Sequence, residues 1–157
     1  MALHSLKYRR NLALGEAIAR QMLPFVRSLG WKIDCAVPVP LGKARLKERG
    51  YNQVALVALP IAVWMGWRYV PQALVRSRET RSQVGLSAAE RRLNVQDAFE
   101  ARQELVAAKT VLVMDDVVTT GSTLASCASA LLKAGARSVY VLTIARALSQ
   151  HGLDHAL

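Results

Sequence analysis

The distribution of apolar and polar residues divides the chain into segments of helical and strand character. Apolar residues that recur at helical spacing predict helices, and short continuous apolar runs between turn residues predict strands. The predicted helices cover residues 11–29, 54–67 and 123–134. The predicted strands cover residues 33–39, 73–76, 110–114 and 138–144.

The segments between residues 110 and 144 follow one another as strand, helix and strand, which is the pattern of a βαβ unit in a parallel sheet. Polar segments separate the other elements. Residues 42–50, rich in Lys and Arg, predict a loop, and residues 78–85, which lack periodicity, predict a mobile loop. Ser87 with Glu90 three residues later predicts the capped start of a short helix. The sequence therefore predicts an α/β domain with a mainly parallel sheet.

The composition excludes several classes of protein. With 157 residues, of which 52% are hydrophobic and 20% charged, the chain has the size and apolar content of one globular domain. Cys35 and Cys127 stand far apart without a Cys-x-x-Cys pair, which excludes a disulfide scaffold and a zinc ribbon. The longest apolar stretch is too short to span a bilayer, and no secretory signal is recognisable. We therefore expect a cytoplasmic protein without membrane insertion.

The chain is strongly basic, with 21 Lys and Arg residues against 11 Asp and Glu residues and a formal net charge of +10. A basic excess of this size favours an anionic partner such as phosphate, nucleic acid or an acidic membrane. Solubility alone explains the charge equally well, so the charge by itself leaves the kind of partner open.

The residues best suited to ligand chemistry follow the strand predicted at 110–114. Asp115 and Asp116 end this strand, and a hydroxyl-rich turn leads into the next helix. A helix N-terminus suits a phosphate, because its N–H groups are free and its dipole is positive. Carboxylates before such a turn suit sugar hydroxyls or Mg²⁺. The turn is no P-loop, because no Lys stands beside its hydroxyl residues, which are Thr119, Thr120, Ser122 and Thr123 around Gly121.

The segment 111–124 resembles the phosphoribosyl-diphosphate (PRPP) signature of type I phosphoribosyltransferases. The resemblance implies a three-layer Rossmann-like fold with a small hood, formed by parts of the N-terminal half and by residues 76–99. It implies that Asp115 and Asp116 contact the ribose 2′ and 3′ hydroxyls and are the catalytic pair, and that Mg²⁺ binds with PRPP. The turn would hold the 5′-phosphate, and the implied PRPP-binding set around the acidic pair is Val117, Thr119, Thr120, Gly121, Ser122, Thr123 and Arg49.

Further motifs are similar to those of the ComF/GntX group, which is associated with DNA uptake in naturally competent bacteria. They include Leu6-Lys7-Tyr8, Pro38-Val39-Pro40, Arg49-Gly50-Tyr51-Asn52-Gln53, Leu86-Ser87 and the segment 90–99. The resemblance covers the chain to about residue 147, which we take as the transferase-like domain, with 148–157 as a tail. Members usually carry a Cys-rich zinc module before this domain, and this sequence contains none.

Two basic segments are candidates for contacts with the diphosphate. Within residues 42–50, the resemblance favours a functional role for Arg49, whereas Lys43, Arg45 and Lys47 fit an exposed solvated surface at least as well. The predicted mobile loop has three interpretations, which the sequence leaves open. It closes over the diphosphate, it is a plain surface loop, or it contacts nucleic acid. The residues concerned there are Arg76, Arg78, Thr80 and Gln83.

Two functions follow from these observations. The first is an enzyme that binds PRPP with Mg²⁺ and transfers the phosphoribosyl group to a nitrogen acceptor, with release of diphosphate. The second is a non-catalytic module that binds PRPP, a nucleotide or single-stranded DNA, or that contacts competence proteins. The acceptor and the oligomeric state stay open, because no segment of the sequence identifies either of them.

Overall fold

The computed structural model describes residues 12–78 and 97–146 of the chain. The helices of these residues are α1 (Leu12–Ser28), α2 (Lys43–Arg49), α3 (Ala55–Met65), α4 (Gln103–Val106) and α5 (Ser122–Lys133), with a 3₁₀ turn at Pro71–Ala73. The strands are β1 (Cys35–Pro38), β2 (Arg68–Tyr69), β3 (Leu74–Arg76), β4 (Phe99–Ala101), β5 (Thr110–Val118) and β6 (Ser138–Arg146).

Four of the strands form a parallel sheet in the order β2-β1-β5-β6. This confirms the predicted α/β class and the parallel βαβ unit formed by β5, α5 and β6. The strands β3 and β4 pair antiparallel as a separate two-stranded sheet, with Val75 opposite Glu100. We call this small sheet the hood, because it borders the segment 76–99 that was predicted to form part of a hood.

Alternating residues of β5 divide the interior into two apolar cores, one on each face of the sheet. Leu112 and Met114 face the core formed with α1 and α3, whereas Val111 and Val113 face the core formed with α5 and the β3–β4 pair. All four side chains are fully buried, as the continuous apolar run predicts. Helices and hood therefore cover both faces, and the domain has three layers.

The close approach of α1 to α3 depends on Gly15. A Cβ atom at this position would lie 2.6 Å from the Cβ of Leu56 and 2.8 Å from its carbonyl oxygen. Real Cβ atoms do not approach other atoms this closely, so only glycine lets the two helices meet at this distance.

Among the described helices, none is both long enough and apolar enough to cross a membrane.

The structure corrects two expectations about element bounds. The basic segment predicted as a loop contains the helix α2, which starts after Gly42 in extended conformation and ends at Gly50 with a φ of 72°. Its residues favour helix but none of them is buried, so the segment lacks the apolar stripe by which a helix is recognised. Strand β5 also runs four residues beyond Met114, because its pairing with β6 continues to Val118.

Several predictions lie outside the described residues. They include most of the predicted mobile loop with Thr80 and Gln83, the short helix predicted after Ser87, and the tail at 148–157.

Candidate functional site

The two central strands of the sheet lead to neighbours on opposite sides. From β1 the chain continues through α2 and α3 to β2, whereas from β5 it continues through α5 to β6. In open parallel sheets, ligands bind beyond the carboxyl ends of the strands where the connections diverge in this way. Strand β1 ends at Pro38 opposite Met114, and β5 continues beyond this point. The next residues of β5 are Asp115 and Asp116, so the acidic pair lies at the expected position of a ligand site.

The two carboxylates belong to opposite faces of the sheet, because successive residues of a strand alternate. Asp116 continues the row of Met114 on the face of α1 and α3, and Asp115 continues the row of Val113 on the face of α5. Both side chains are half-buried. They therefore flank the end of β5 from both sides instead of forming one cluster.

Val117 and Gln53 orient the Asp116 carboxylate. Its Oδ1 accepts a hydrogen bond from the Val117 N–H at 2.8 Å, and its Oδ2 accepts one from Gln53 Nε2 at 3.1 Å. Gln53 Oε1 in turn accepts a hydrogen bond from Arg49 Nη1 at 3.1 Å. Asp115 Oδ1 accepts the Asp116 N–H at 2.8 Å. Both carboxylates are thus oriented by neighbouring N–H groups.

Asp115 lies within electrostatic range of a buried thiol. Burial raises the pKa of Cys127, the Asp115 carboxylate raises it further, and Arg76 opposes the rise. The Arg76 guanidinium lies 5.4 Å from the centre of the Phe99 ring, across the β3–β4 pair. Arg76 is therefore on the same side of the sheet as Asp115, whereas Arg49 is on the side of Asp116.

The turn between β5 and α5 is exposed at Thr119 and Thr120. Gly121 has a φ of 77°, which side chains other than glycine rarely adopt, and its carbonyl accepts the first helical hydrogen bond from Ala125. Thr120 Oγ1 lies 2.7 Å from Ser122 Oγ and accepts the Ser122 N–H at 3.4 Å. As at every helix start, the first amides have no acceptor within the helix, and the Ser122 N–H is bonded to the Thr120 hydroxyl instead. Helix N-termini are suited to anions, because their N–H groups and the positive end of the helix dipole lie there.

A cavity of 650 Å³ opens beside this turn, which is a size typical of small-molecule sites. It runs along α5 from the turn to Lys133, whose Nζ lies 3.4 Å from Asp97 Oδ1. Its described lining residues include Thr120, Gly121 and Ser122 but neither of the two carboxylates.

The motif Arg49–Gln53, which was predicted by resemblance, connects two segments of the sheet edge through Asn52. Asn52 Nδ2 donates to the Val39 carbonyl at 2.9 Å, and its Oδ1 accepts the Val54 N–H at 3.0 Å. Asn52 thereby ties the end of β1 to the start of α3. On α2, the side chains of Lys43, Arg45 and Lys47 are exposed, whereas Arg49 is half-buried.

Of the predicted site residues, the structure brings together the acidic pair, Val117, the turn and Arg49, which reaches the pair through Gln53. Arg76 joins them on the opposite face, and Arg78 ends the described part of the hood. The sequence reasoning did not assign a role to Gln53. A polar residue directly before the apolar stretch of α3 was the available signal.

The donor set bears on whether Mg²⁺ fits the site. Among the described residues, no three His, Cys, Asp or Glu side chains lie together as a metal-binding group. Mg²⁺ commonly uses one or two carboxylates at most and takes its other ligands from substrate phosphates and water. The two carboxylates of Asp115 and Asp116 fit this mode of binding.

Comparison with known proteins gives a consistent result. A family model described as phosphoribosyl transferase domain matches residues 10–156. The DNA utilization protein YhgH of Salmonella typhimurium is 40% identical over 154 residues, covering 94% of this chain and 67% of that protein. Competence protein F of Haemophilus influenzae is 37% identical over 117 residues, covering 73% of this chain and 51% of that protein. The chain thus spans between half and two thirds of the length of these relatives.

Solved structures share the fold at lower identity. Glutamine PRPP amidotransferase from B. subtilis, complexed with ADP and GMP, has a TM-score of 0.60 at 20% identity, covering 89% of this chain and 30% of that chain. An adenine phosphoribosyltransferase has a TM-score of 0.52 at 18% identity, covering 88% of this chain and 72% of that chain. At these identities the likeness shows the fold alone.

Proposed function

The chain belongs to the phosphoribosyl transferase domain family and, within it, to the ComF family, and on this premise we propose that it binds PRPP with Mg²⁺. The observation that carries the proposal is the succession of an acidic pair and a hydroxyl-rich helix start where the sheet connections diverge. The acidic pair offers acceptors to the hydroxyls of a sugar, and the adjacent helix start offers donors to its phosphate.

Each part of the site has a role in this proposal. Asp115 and Asp116 accept hydrogen bonds from the ribose hydroxyls, one from each side of β5. The 5′-phosphate binds to the N–H and O–H groups of the turn from Thr119 to Thr123, which Val117 precedes in the chain. Mg²⁺ would be held beside Asp115 and Asp116 together with the diphosphate, and it would neutralise part of the diphosphate charge.

In this proposal the basic side chains around the site contact the diphosphate. Helix α2 follows β1 directly, so its cationic side chains Lys43, Arg45 and Lys47 stand at the carboxyl edge of the sheet. Arg76 and Arg78 approach from the hood side, and Thr80 and Gln83 belong to the same proposed loop. Such a loop would exclude water from the site when it closes over the ligand.

We further propose that the phosphoribosyl group of the bound PRPP is transferred. A nitrogen nucleophile attacks C1 of the ribose, the bond from C1 to the diphosphate oxygen breaks, and diphosphate leaves with the electron pair. The contribution of this chain is positioning and charge stabilisation, because the acidic pair fixes the ribose and the turn fixes its phosphate.

The test has two stages. PRPP is titrated into the protein by calorimetry with and without Mg²⁺, and saturable binding that depends on Mg²⁺ is expected. A panel of nucleobases and amines is then screened for diphosphate release. Binding without release in the whole panel would contradict transfer but leave the binding site intact, and absence of binding would contradict the proposed function.

Binding of single-stranded DNA is a second candidate, favoured by the exposed cations of α2, the net charge of +10 and the names of the relatives. A phosphate-binding surface of this kind gives an affinity that falls steeply with salt. Fluorescence anisotropy with a labelled oligonucleotide measures this dependence. The Lys43→Gln, Lys47→Gln variant should show a shallower salt dependence, and an affinity unchanged by salt would contradict this candidate.

A further inference from the structure

One buried amide connects the basic helix α2 to the acidic pair. The Gln53 side chain accepts a hydrogen bond from Arg49 and donates one to Asp116, both at 3.1 Å. Gln53 is only 5% exposed, and it is one of few buried polar residues in the described part of the chain. A buried amide is stable only when its polar atoms are satisfied, and both ends of this one have charged partners.

The charged partners determine the orientation of this amide. A guanidinium group only donates hydrogen bonds and a carboxylate only accepts them. The Gln53 oxygen must therefore face Arg49, and its nitrogen must face Asp116. Glutamine fits this place because one neutral side chain offers an acceptor to the cation and a donor to the anion. Glutamate would offer no donor to Asp116, and leucine would offer neither group.

We propose that Gln53 is a positioning residue for PRPP binding, which orients Asp116 and couples Arg49 to it. The inference rests on the proposed function. With Oδ1 on the Val117 N–H and Oδ2 on Gln53, the Asp116 carboxylate cannot rotate, so its remaining lone pairs keep one direction. A ribose hydroxyl then meets an acceptor that is already oriented, which reduces the entropy lost on binding.

This assignment gives Arg49 a specific role. The half-buried Arg49 acts on the ligand site through Gln53, whereas the exposed cations of α2 are available to the diphosphate. Removing the Arg49 hydrogen bond should therefore matter only while Gln53 is present. Direct contact between Arg49 and the diphosphate would instead matter with or without Gln53.

A double-mutant cycle distinguishes these two cases. PRPP affinity is measured by calorimetry, with Mg²⁺ present, for the wild type, Gln53→Leu, Arg49→Met and the double variant. Gln53→Leu should weaken binding by about tenfold, as expected for loss of a hydrogen bond to a charged group. The double variant should bind PRPP no more than about twofold more weakly than Gln53→Leu does. The losses of affinity in the two single variants would then not be additive. Additive losses would overturn the proposal, because Arg49 would then act independently of Gln53.

Control variants test the specificity of the effect. Gln21→Leu makes the same substitution on the exposed surface of α1 and should leave the affinity unchanged. Arg49→Lys retains a cationic donor and should restore part of the affinity that Arg49→Met loses. Equal losses in Arg49→Lys and Arg49→Met would count against a role for the hydrogen bond to Gln53.

A measurement without ligand separates this proposal from the proposed function. In ¹⁵N-correlated NMR spectra, the Gln53 side-chain NH₂ protons should resonate away from those of exposed glutamines such as Gln21. They should move in both Arg49→Met and Asp116→Asn. If the wild type fails to bind PRPP, the proposed function fails. The hydrogen bonds of Gln53 to Arg49 and Asp116 are then tested by this spectrum alone. Gln53 side-chain chemical shifts equal to those of exposed glutamines would overturn the proposal.

Discussion

Replacing Gly121 by alanine tests the phosphate-binding turn with a single methyl group. At a φ of 77°, an L-residue is strained, and the added Cβ would meet only Val118 Cγ2 at 4.0 Å, an ordinary contact. The cost is therefore that of the backbone alone, about 1–2 kcal/mol, and lower chain entropy in the unfolded state offsets part of it. We expect a net loss of about 1 kcal/mol, which lowers Tm by about 2–4 °C in a domain of this size.

The effect on ligand binding should exceed this effect on stability. The strain is relieved by rotating the peptides of the turn, which moves the N–H groups at the start of α5 away from the phosphate. Loss of one or two such charge-assisted hydrogen bonds would weaken PRPP binding by about tenfold or more. Urea unfolding and PRPP calorimetry on the same preparations measure the two effects separately.

Gly66 provides the matched control. It ends α3 with a φ of 72°, and beyond its two neighbours in the chain no atom lies within 4 Å of the position of its missing Cβ. Gly66→Ala should therefore lose the same stability, about 1 kcal/mol, and keep the affinity of the wild type. If the two variants lose equal affinity, or if neither loses any, the assignment of the turn as the phosphate site is refuted.

Two further predictions concern stability. Gly15→Ala should cost about 1–3 kcal/mol through overpacking against Leu56, as measured by urea unfolding, and an unchanged unfolding midpoint would contradict the close approach of α1 and α3. Burial raises the pKa of Tyr69 from its ordinary value of 10.0 to about 12, so its neutral form stabilises the fold below pH 10.0 and this contribution is lost as the pH rises towards 12. Tyr69→Phe should therefore lose less stability than the wild type in urea unfolding over this alkaline range, and parallel losses in the two proteins would contradict the burial of this phenol.

The features that were predictable from sequence are those with a local chemical cause. The apolar run from Thr110 to Met114 is typical of a buried strand, and a Gly in a hydroxyl-rich turn followed by an apolar helical stripe marks the start of α5. Because strand, turn and helix adjoin in sequence, the acidic pair was also expected near the carboxyl end of this strand, and the structure has it within the last four residues of β5.

The features that sequence did not predict depend on distant contacts or on weak local patterns. Gln53 meets Asp116 across 63 residues, and no local pattern reports such a contact. Strands β2 and β4 have two and three residues, too few for an alternation to be recognised. Helix α2 buries no side chain, so its sequence carries propensity without a periodic apolar stripe.

The sequence also did not predict on which face of the sheet each of the two carboxylates lies. Alternation along β5 places Asp115 and Asp116 on opposite faces, but only the two cores show which face each one joins. This distinction separates the environment of Arg76 and Cys127 from that of Arg49 and Gln53.

The most direct test of the account is a calorimetric titration of PRPP with Mg²⁺ into the Asp115→Asn, Asp116→Asn variant and into the wild type. A charge-matched control, Glu16→Gln with Glu104→Gln, removes two carboxylates from exposed positions on α1 and α4. The account predicts that the wild type and the control bind alike and that the acidic-pair variant shows no measurable binding. Equal affinity in all three proteins would contradict the assignment of this site.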